Sequence, residues 1–222
     1  MKEASVRFSG PFLVATAFFI TALITSNIIA VKLAQIGPFV LPAAIILFPV
    51  SYILGDVLTE VYGYRAARRV IWLGFACNAL VVLFVWLGGL LPGAPFWEAQ
   101  PAYQRILGFT PRLLAASFTA YLLGEFANAM VLARLKVATR GRWLWLRTIG
   151  STLVGQGLDS LVFITLAFGF NPGIVVTQWL AKSAYEAVAT PLTYAVVTYL
   201  KRVEGVDADD RYTDLNPIQV LG

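Results

Sequence analysis

The fold of this chain is decided by residues 148–200, which read TIGSTLVGQGLDSLVFITLAFGFNPGIVVTQWLAKSAYEAVATPLTYAVVTYL. Two continuous apolar runs lie on either side of Asn171-Pro172-Gly173, a sequence typical of a turn. Each run reaches the length of about 20 residues that a helix needs to cross the apolar core of a membrane. The stretch therefore predicts two membrane-spanning helices, over residues 148–170 and 174–200.

The same pattern occurs through the rest of the chain. Further apolar runs predict helices over residues 12–31, 39–56, 70–91 and 113–135. The runs are continuous, whereas the strands of a membrane β-barrel alternate between apolar and polar residues. The sequence thus predicts an all-α polytopic membrane protein. The predicted domain covers residues 1–222. It consists of a bundle of six transmembrane helices and, at its C-terminal end, a solvated polar tail over residues 201–222.

Composition excludes several classes of protein. Hydrophobic residues make up 59% of the chain and charged residues 13%, with a mean hydropathy of +0.74. Soluble domains carry about 25% charged residues, so an ordinary water-facing surface is excluded, as is disorder. The chain has no histidine and one cysteine, Cys77. It therefore lacks the means for Ser-His catalysis, a histidine metal site or an internal disulfide, and no cofactor or metal is expected.

The basic residues predict the orientation. With the N-terminus in the cytoplasm, thirteen of the 17 Lys and Arg residues fall on inner segments, within residues 2–7, 65–69, 134–147 and 201–211. Only three fall on outer loops, which is the bias known as the positive-inside rule. Both termini are therefore predicted to be cytoplasmic. The net charge of +5 follows from this topology and gives no reason to expect a nucleic-acid partner.

Ionisable residues inside the predicted spans mark a candidate site. A carboxylate at the middle of a bilayer costs about 2.5–3.5 kcal/mol unless it finds a partner or water. Glu125, Asp159 and Glu186 lie near the middle of three consecutive helices, with Lys182 one turn from Glu186. One lysine cannot neutralise three carboxylates, so at least one acid is protonated, hydrated or awaits a ligand. The alternative is that these charges only pair with one another and hold the bundle together.

Helical spacing extends this candidate site to other polar and aromatic residues. The predicted substrate-binding residues are Glu125, Asp159, Glu186, Lys182, Gln156, Asn27, Asn128, Tyr185, Tyr121, Phe163 and Trp179. A second group at the cytoplasmic end of the second helix is predicted to act as a gate or in coupling, namely Tyr52, Asp56 and Glu60. For the two acids of this group, ion pairing with Arg65, Arg68 and Arg69 is the alternative.

An ordered set of motifs resembles the bacterial queuosine precursor transporter family, part of the vitamin uptake transporter group. The set consists of Ser26-Asn27, Pro49-Val-Ser-Tyr-Ile-Leu-Gly-Asp56, Thr59-Glu60, Leu123-Gly-Glu125 with Asn128, Gly155-Gln156 with Asp159-Ser160, and Lys182 with Tyr185-Glu186 and Thr190-Pro191. The resemblance implies a multi-pass protein of the bacterial inner membrane. It also implies import of 7-deazaguanine bases, such as 7-cyano-7-deazaguanine and 7-aminomethyl-7-deazaguanine, for the salvage of tRNA queuosine.

The predicted residues suit such a base chemically. Its guanine-like edge offers two parallel donors that one carboxylate accepts together. Asn27, Gln156 or Lys182 can donate to the O6 oxygen, and the aromatic residues of the site can stack on the ring. We therefore expect alternating access around a pocket in the middle of the membrane. The expected partners are the base and the lipid bilayer, and a homodimer is left open.

Three other functions are weighed against import by this chain alone. The small size and the six predicted helices also permit the substrate-binding subunit of an ATP-energised vitamin importer. The chain has no phosphate-binding loop of its own, so ATP would act on another subunit. Asp56 and Asp159 could instead form an intramembrane aspartyl protease, although the glycine and tyrosine spacing of such enzymes is not matched. A purely structural membrane protein is disfavoured by the charges inside the spans.

Overall fold

The computed structural model describes residues 9–36, 39–108, 111–205 and 215–217. This part of the chain is almost entirely helical, with one small hairpin. Its α-helices, in chain order, are α1 (Gly10–Ile29), α2 (Phe48–Tyr62), α3 (Tyr64–Leu90), α4 (Gln100–Leu107), α5 (Pro111–Ala138), α6 (Leu144–Phe168) and α7 (Pro172–Glu204). The hairpin consists of β1 (Leu33–Ile36) and β2 (Phe39–Pro42), and a 3-10 turn follows at Ala43–Ile46.

Local sequence signals explain where the helices begin and end. The Ser9 hydroxyl accepts a hydrogen bond of 3.2 Å from the backbone N–H of Phe12 at the start of α1. Asn171 caps α7 in the same way, through the backbone N–H of Ile174. Helix α6 ends at Gly169, whose φ of +93° is readily adopted only by glycine. The turn predicted between α6 and α7 is therefore confirmed.

The predicted second span is wrong over its first half. Residues 33–36 pair antiparallel with residues 39–42, and the α-helix begins only at Phe48. Pro42 explains the difference, because a proline inside a helix removes a hydrogen bond and clashes with the preceding turn. Pro49, in contrast, lies in the first turn of α2, where proline is tolerated. With 15 residues α2 is about 22 Å long, which is shorter than the apolar core of a bilayer.

Other helix boundaries differ from the prediction because charged residues continue the helices beyond their apolar parts. Helix α3 begins at Tyr64 rather than residue 70, and α6 begins at Leu144 rather than residue 148. Arginine and lysine are good helix formers, so an apolar run marks the membrane part of a helix rather than its full length. The short helix α4 lies in a segment for which no helix was predicted.

The outer surface of the described bundle suits a lipid environment. By length and composition, α1, α3, α5 from Ala115 onward and α6 can each cross a membrane. Large apolar side chains such as Phe18, Phe84 and Val188 lie on the outside of the fold. Their exposure would be unfavourable in water and is favourable in lipid. The chain is a multi-pass membrane protein, while six spans and the orientation remain predictions.

Helices α5 and α6 approach each other closely along a stripe of small residues. A Cβ atom placed on Gly155 would lie 2.8 Å from Cβ of Asn128 and 2.9 Å from the carbonyl oxygen of Gly124. A Cβ atom on Gly124 would lie 2.8 Å from Cβ of Asp159. Only glycine fits at these two positions without a shift of the helices. The contact fixes the relative positions of the polar residues on both helices.

Near the C-terminus, residues 215–217 lie against the first turns of α3. Their carbonyl oxygens accept hydrogen bonds from the Tyr64 hydroxyl at 3.0 Å, from the Arg68 guanidinium and from the Trp72 indole at 2.8 Å. These three residues are thus held against α3, Asn216 is exposed, and the solvated tail over residues 201–222 stays a prediction. A buried arginine and two aromatic side chains bind a segment whose carbonyl groups supply the acceptors.

Candidate functional site

A cavity of about 550 Å³ lies among α1, α5, α6, α7 and the start of α2. Its volume falls within the range of about 300–1,000 Å³ that is typical of small-molecule sites. The structure brings nine of the eleven predicted substrate-binding residues to its wall, namely Asn27, Tyr121, Glu125, Asn128, Gln156, Asp159, Phe163, Lys182 and Tyr185. Their binding role remains a prediction, but their convergence on one space is an observation.

Some lining residues were missed by the sequence prediction. Ser117 and Thr177 line the cavity beside the predicted residues. Helical spacing held the signal, because residues four apart lie on one helix face. Ser117 precedes Tyr121 by four positions, and Thr177 precedes Tyr185 by eight. Small hydroxyl residues are common in helix contacts, so this signal is weak when the charged residues beside it draw attention first.

Acid exceeds base inside the cavity. The Lys182 ammonium lies 2.6 Å from the Asp159 carboxylate, and both side chains are only partly buried. Glu125 lies within electrostatic range of Asp159 and of the deeper Asp56. Because Lys182 is already bonded to Asp159, the described residues supply no second cation to Glu125. The cavity therefore presents one acidic group that a ligand with paired donors would satisfy.

Polar groups deeper in the cavity wall have unused acceptor capacity. The Asn128 amide donates a hydrogen bond of 3.1 Å to Asp56. The Oδ1 atom of Asn128 and the Oε1 atom of Gln156 are buried, and no described residue donates to either. The Tyr121 hydroxyl, by contrast, donates to the Ile71 carbonyl at 3.1 Å, which fixes the orientation of its ring along the cavity wall. The cavity combines rigid aromatic surface with acceptors that lack donors.

Two of the predicted binding residues lie away from the cavity wall. The Trp179 indole donates to the Leu153 carbonyl at 2.8 Å and packs on Gly157 of the neighbouring helix. Glu186 is 1% exposed and lies within electrostatic range of Asp56 and Glu125. Trp179 is turned toward α6 by its hydrogen bond, whereas Glu186 lies on the same helix face as Lys182, four positions on, but is covered by the neighbouring helices.

The predicted gate residues have different surroundings. Asp56 is fully buried next to Asn128. The Glu60 carboxylate is also fully buried and is surrounded by three cations, Arg147 at 2.9 Å, Lys201 at 2.8 Å and Lys136 at 3.9 Å. We call these four residues the Glu60 cluster. The side chain of Tyr52 lies outside the part of the chain that the structure describes.

The Glu60 cluster corrects one expectation from the sequence. Ion pairing of Glu60 was foreseen as an alternative, but the predicted partners Arg65, Arg68 and Arg69 were wrong. The three cations come from the end of α5, the start of α6 and the end of α7. Antiparallel packing brings these helix termini to the end of α2, whereas the arginines of α3 begin a new helix that turns away. The cluster closes the bundle at the end opposite the cavity.

A resident metal site is not formed by the described residues. No group of three or more Cys, Asp or Glu side chains among them is positioned to hold a metal ion. The residues that line the cavity offer hydrogen bonding, ion pairing and aromatic stacking. Such groups bind and orient an organic ligand.

Comparison with known proteins adds independent information. The sequence model of the putative vitamin uptake transporter family matches residues 42–196, which contain every predicted site residue except Asn27. A Bacillus subtilis protein named "Probable queuosine precursor transporter" is 31% identical over 182 residues, which cover 78% of this chain and 79% of that protein.

Two further relatives match shorter parts of the chain. The Escherichia coli "Queuosine precursor transporter" is 30% identical over 131 residues, which cover 59% of this chain and 57% of that protein. A Haemophilus influenzae protein named "Probable queuosine precursor transporter" is 28% identical over 121 residues, or 54% of this chain and 49% of that protein. No solved structure is significantly similar.

Proposed function

The chain belongs to the putative vitamin uptake transporter family, and from this premise we propose that it imports queuosine precursors across the inner membrane of a bacterium. Membership confirms the resemblance seen in the motifs. The family is one of transporters and not of enzymes, which removes the protease alternative. The observation that carries the proposal is the convergence of nine predicted polar and aromatic residues on one cavity of about 550 Å³.

The proposed substrates are 7-deazaguanine bases, and the cavity offers a partner for each polar edge of such a base. Glu125, which forms no ion pair with a described Lys or Arg residue, accepts the N1–H and 2-amino donors together. Asn27, Gln156 or Lys182 donates to the O6 oxygen. A cationic 7-aminomethyl group would then compete with Lys182 for Asp159, whereas a 7-cyano group would leave that ion pair in place.

Aromatic side chains on the cavity wall provide stacking for the flat ring. Phe163, Tyr121 and Tyr185 all line the cavity. Stacking of a base on an aromatic side chain contributes about 1–3 kcal/mol, and it does not depend on the identity of the base. Stacking thus provides affinity in this proposal, while the carboxylate of Glu125 provides selectivity for a guanine-like edge.

Transport in this proposal follows alternating access through one domain of six spans with both termini in the cytoplasm. The cavity is bordered by the end of α1 and the start of α7, which the basic residues assign to the outer side. The Glu60 cluster lies at the opposite end of the bundle, which the basic residues assign to the cytoplasm. In this proposal the cluster closes the cytoplasmic side, and delivery of the base requires it to separate.

Uptake and binding of a labelled base test the proposal. Glu125→Gln keeps the size of the side chain but removes its charge, so we expect affinity for 7-cyano-7-deazaguanine to fall about tenfold or more. Glu98→Gln is the matched control, because Glu98 is an exposed acid outside the cavity. Binding to the purified protein and uptake into proteoliposomes should change together, at equal protein amount.

Two results would contradict the proposal. Wild-type protein that binds neither 7-deazaguanine bases nor guanine would remove the substrate class. Normal binding by Glu125→Gln would remove the proposed role of that carboxylate. Uptake by the purified chain alone would also argue against the alternative of a subunit that needs an ATP-driven partner.

A further inference from the structure

Two buried carboxyl groups lie between the cavity and the Glu60 cluster, and substrate binding does not account for them. Asp56 of α2 is 0% exposed and Glu186 of α7 is 1% exposed. The two groups lie within electrostatic range of each other, and neither lines the cavity. Neither group is open to a ligand of the size of a base.

Three of the four carboxylate oxygen atoms of these two groups lack donors among the described residues. Among the described residues, none donates a hydrogen bond to either carboxylate oxygen of Glu186 or to the Oδ2 atom of Asp56. A buried carboxylate without donors or a cation is strongly unfavourable, whereas the protonated group is neutral and carries its own donor. The geometry alone therefore favours a bound proton at this pair.

The charged groups around the pair give it no cation. Glu60 precedes it on α2 but is already bonded to three cations, and Glu125 faces it from α5. Asp159 of α6 is bonded to Lys182 of α7. Helix α1 contains no titratable residue, and Arg68 of α3 donates to the Asn216 carbonyl. The surroundings of the pair are acidic, which suits a proton and not an anion.

A short polar route joins the pair to the cavity. Asn128 lines the cavity and donates to Asp56 at 3.1 Å. A separate void of about 10 Å³ borders both Glu125 and Asn128. That volume is enough for about one water molecule. A water molecule in this void would contact Glu125 and Asn128 and could pass a proton on toward Asp56, while the Asn128 amide orients the Asp56 carboxyl group.

We propose that Asp56 and Glu186 form a proton-binding site that couples import of the base to the proton gradient, an inference that rests on the proposed function. A proton from the cavity side binds an unpartnered carboxylate oxygen as an O–H group. It dissociates to the cytoplasmic side after the bundle reorients. Glu125 and Asp159 contact the base, so base binding and proton binding belong to different acids. In this proposal Glu186 binds the proton, whereas its position in the sequence predicts that it binds the base.

Transport by the full chain in proteoliposomes tests whether base binding and proton binding belong to different acids. A pH difference of about one unit, acidic outside, supports about tenfold accumulation of the base by a one-proton symporter. Asp56→Asn and Glu186→Gln imitate the protonated groups without changing their size. We expect each to lose that accumulation and to keep exchange of labelled for unlabelled 7-cyano-7-deazaguanine across the membrane at no pH difference. Glu125→Gln should lose both activities, and Glu98→Gln neither.

The outcomes separate this inference from the proposed function. Tenfold accumulation by Asp56→Asn and Glu186→Gln would overturn the proton site while leaving import intact. Accumulation driven by a sodium gradient and not by pH would overturn it as well, because the site would then bind a metal cation. Loss of exchange in both variants would assign the two acids to the base and overturn the separation.

A measurement made without substrate tests the proton-binding site even if 7-deazaguanine bases are not the substrate. Infrared difference spectroscopy during a pH titration detects the C=O stretch of protonated carboxylic acids in the protein in lipid. We expect this band to be lost in the double variant Asp56→Asn/Glu186→Gln and retained in Glu98→Gln. A band of wild-type size in the double variant would place the bound proton elsewhere and overturn the proposal.

Discussion

The cavity and the Glu60 cluster are built from the same helices but have opposite charge balance. In the Glu60 cluster, three cations surround one buried carboxylate at 2.8 to 3.9 Å. Around the cavity, Asp56, Glu125, Asp159 and Glu186 have one lysine among the described residues, and Lys182 pairs with Asp159. A charged residue inside a membrane bundle therefore does not indicate its role by itself. The number of its partners separates a structural ion cluster from a site that awaits a ligand.

The cations of the Glu60 cluster have two roles in this comparison. Lys136, Arg147 and Lys201 belong to the segments whose positive charge predicts the cytoplasmic side. The structure turns these same side chains inward onto one carboxylate. Residues whose charge predicts the orientation of the chain thereby also hold α2, α5, α6 and α7 together. The acids of the cavity have no such second role.

Removal of the central carboxylate of the Glu60 cluster should have the largest effect on stability. Glu60→Ala removes the carboxylate that the buried Arg147 guanidinium contacts at 2.9 Å. Loss of one partner of a buried ion pair costs about 3–5 kcal/mol. We therefore expect a large fall in the melting temperature of the purified protein and in its abundance in the membrane. Asp159→Asn, in the ion pair of the cavity whose side chains are 16% and 23% exposed, should change stability far less.

The matched control for this prediction is Glu98→Ala, which removes an exposed acid. Equal melting temperatures for Glu60→Ala and Glu98→Ala would show that the cluster does not hold the bundle closed. The Glu60 cluster and the cavity would then not differ in their contribution to stability.

The close contact of α5 with α6 should have the next largest effect. Gly155→Ala places a methyl group 2.8 Å from Cβ of Asn128, and overpacking of this kind costs about 1–3 kcal/mol. It also moves Asn128 and Gln156, so we expect both stability and base binding to decrease. Gly10→Ala is the control, because no atom lies within 4 Å of the added group. Normal binding by a stable Gly155→Ala protein would show that the cavity does not depend on this contact.

The sequence predicted the helices better than their partners, for a physical reason. An apolar run indicates that a helix is surrounded by lipid, and such runs predicted the long helices. Helix α2 was misplaced because Pro42 prevents a continuous helix. The partners of Glu60 could not be read from the chain. They lie 76, 87 and 141 positions away, and the packing of helix termini brings them together.

For the candidate site, the helical period predicted the faces of α5 and α6 well. Glu125, Asn128, Gln156 and Asp159 all reach the cavity wall. The helical period was less informative on α7, because polar side chains of that helix face both the cavity and the neighbouring helices. Glu186 sits four positions after Lys182 but is covered by α2 and α5 rather than open to the cavity. Only the positions of the neighbouring helices reveal that difference.

Trp179 provides the smallest expected effect and the sharpest test of the cavity wall. Its indole bonds the Leu153 carbonyl outside the cavity, so Trp179→Phe removes one hydrogen bond worth about 0.5–1.5 kcal/mol. We expect a small loss of melting temperature and an unchanged Kd for 7-cyano-7-deazaguanine. Phe163→Leu, on the cavity wall, should show the reverse, with weaker binding and similar stability. If Trp179→Phe weakened binding as much as Phe163→Leu, the base would contact a face of α7 that this structure directs toward α6. The assignment of the cavity as the binding site would then be wrong.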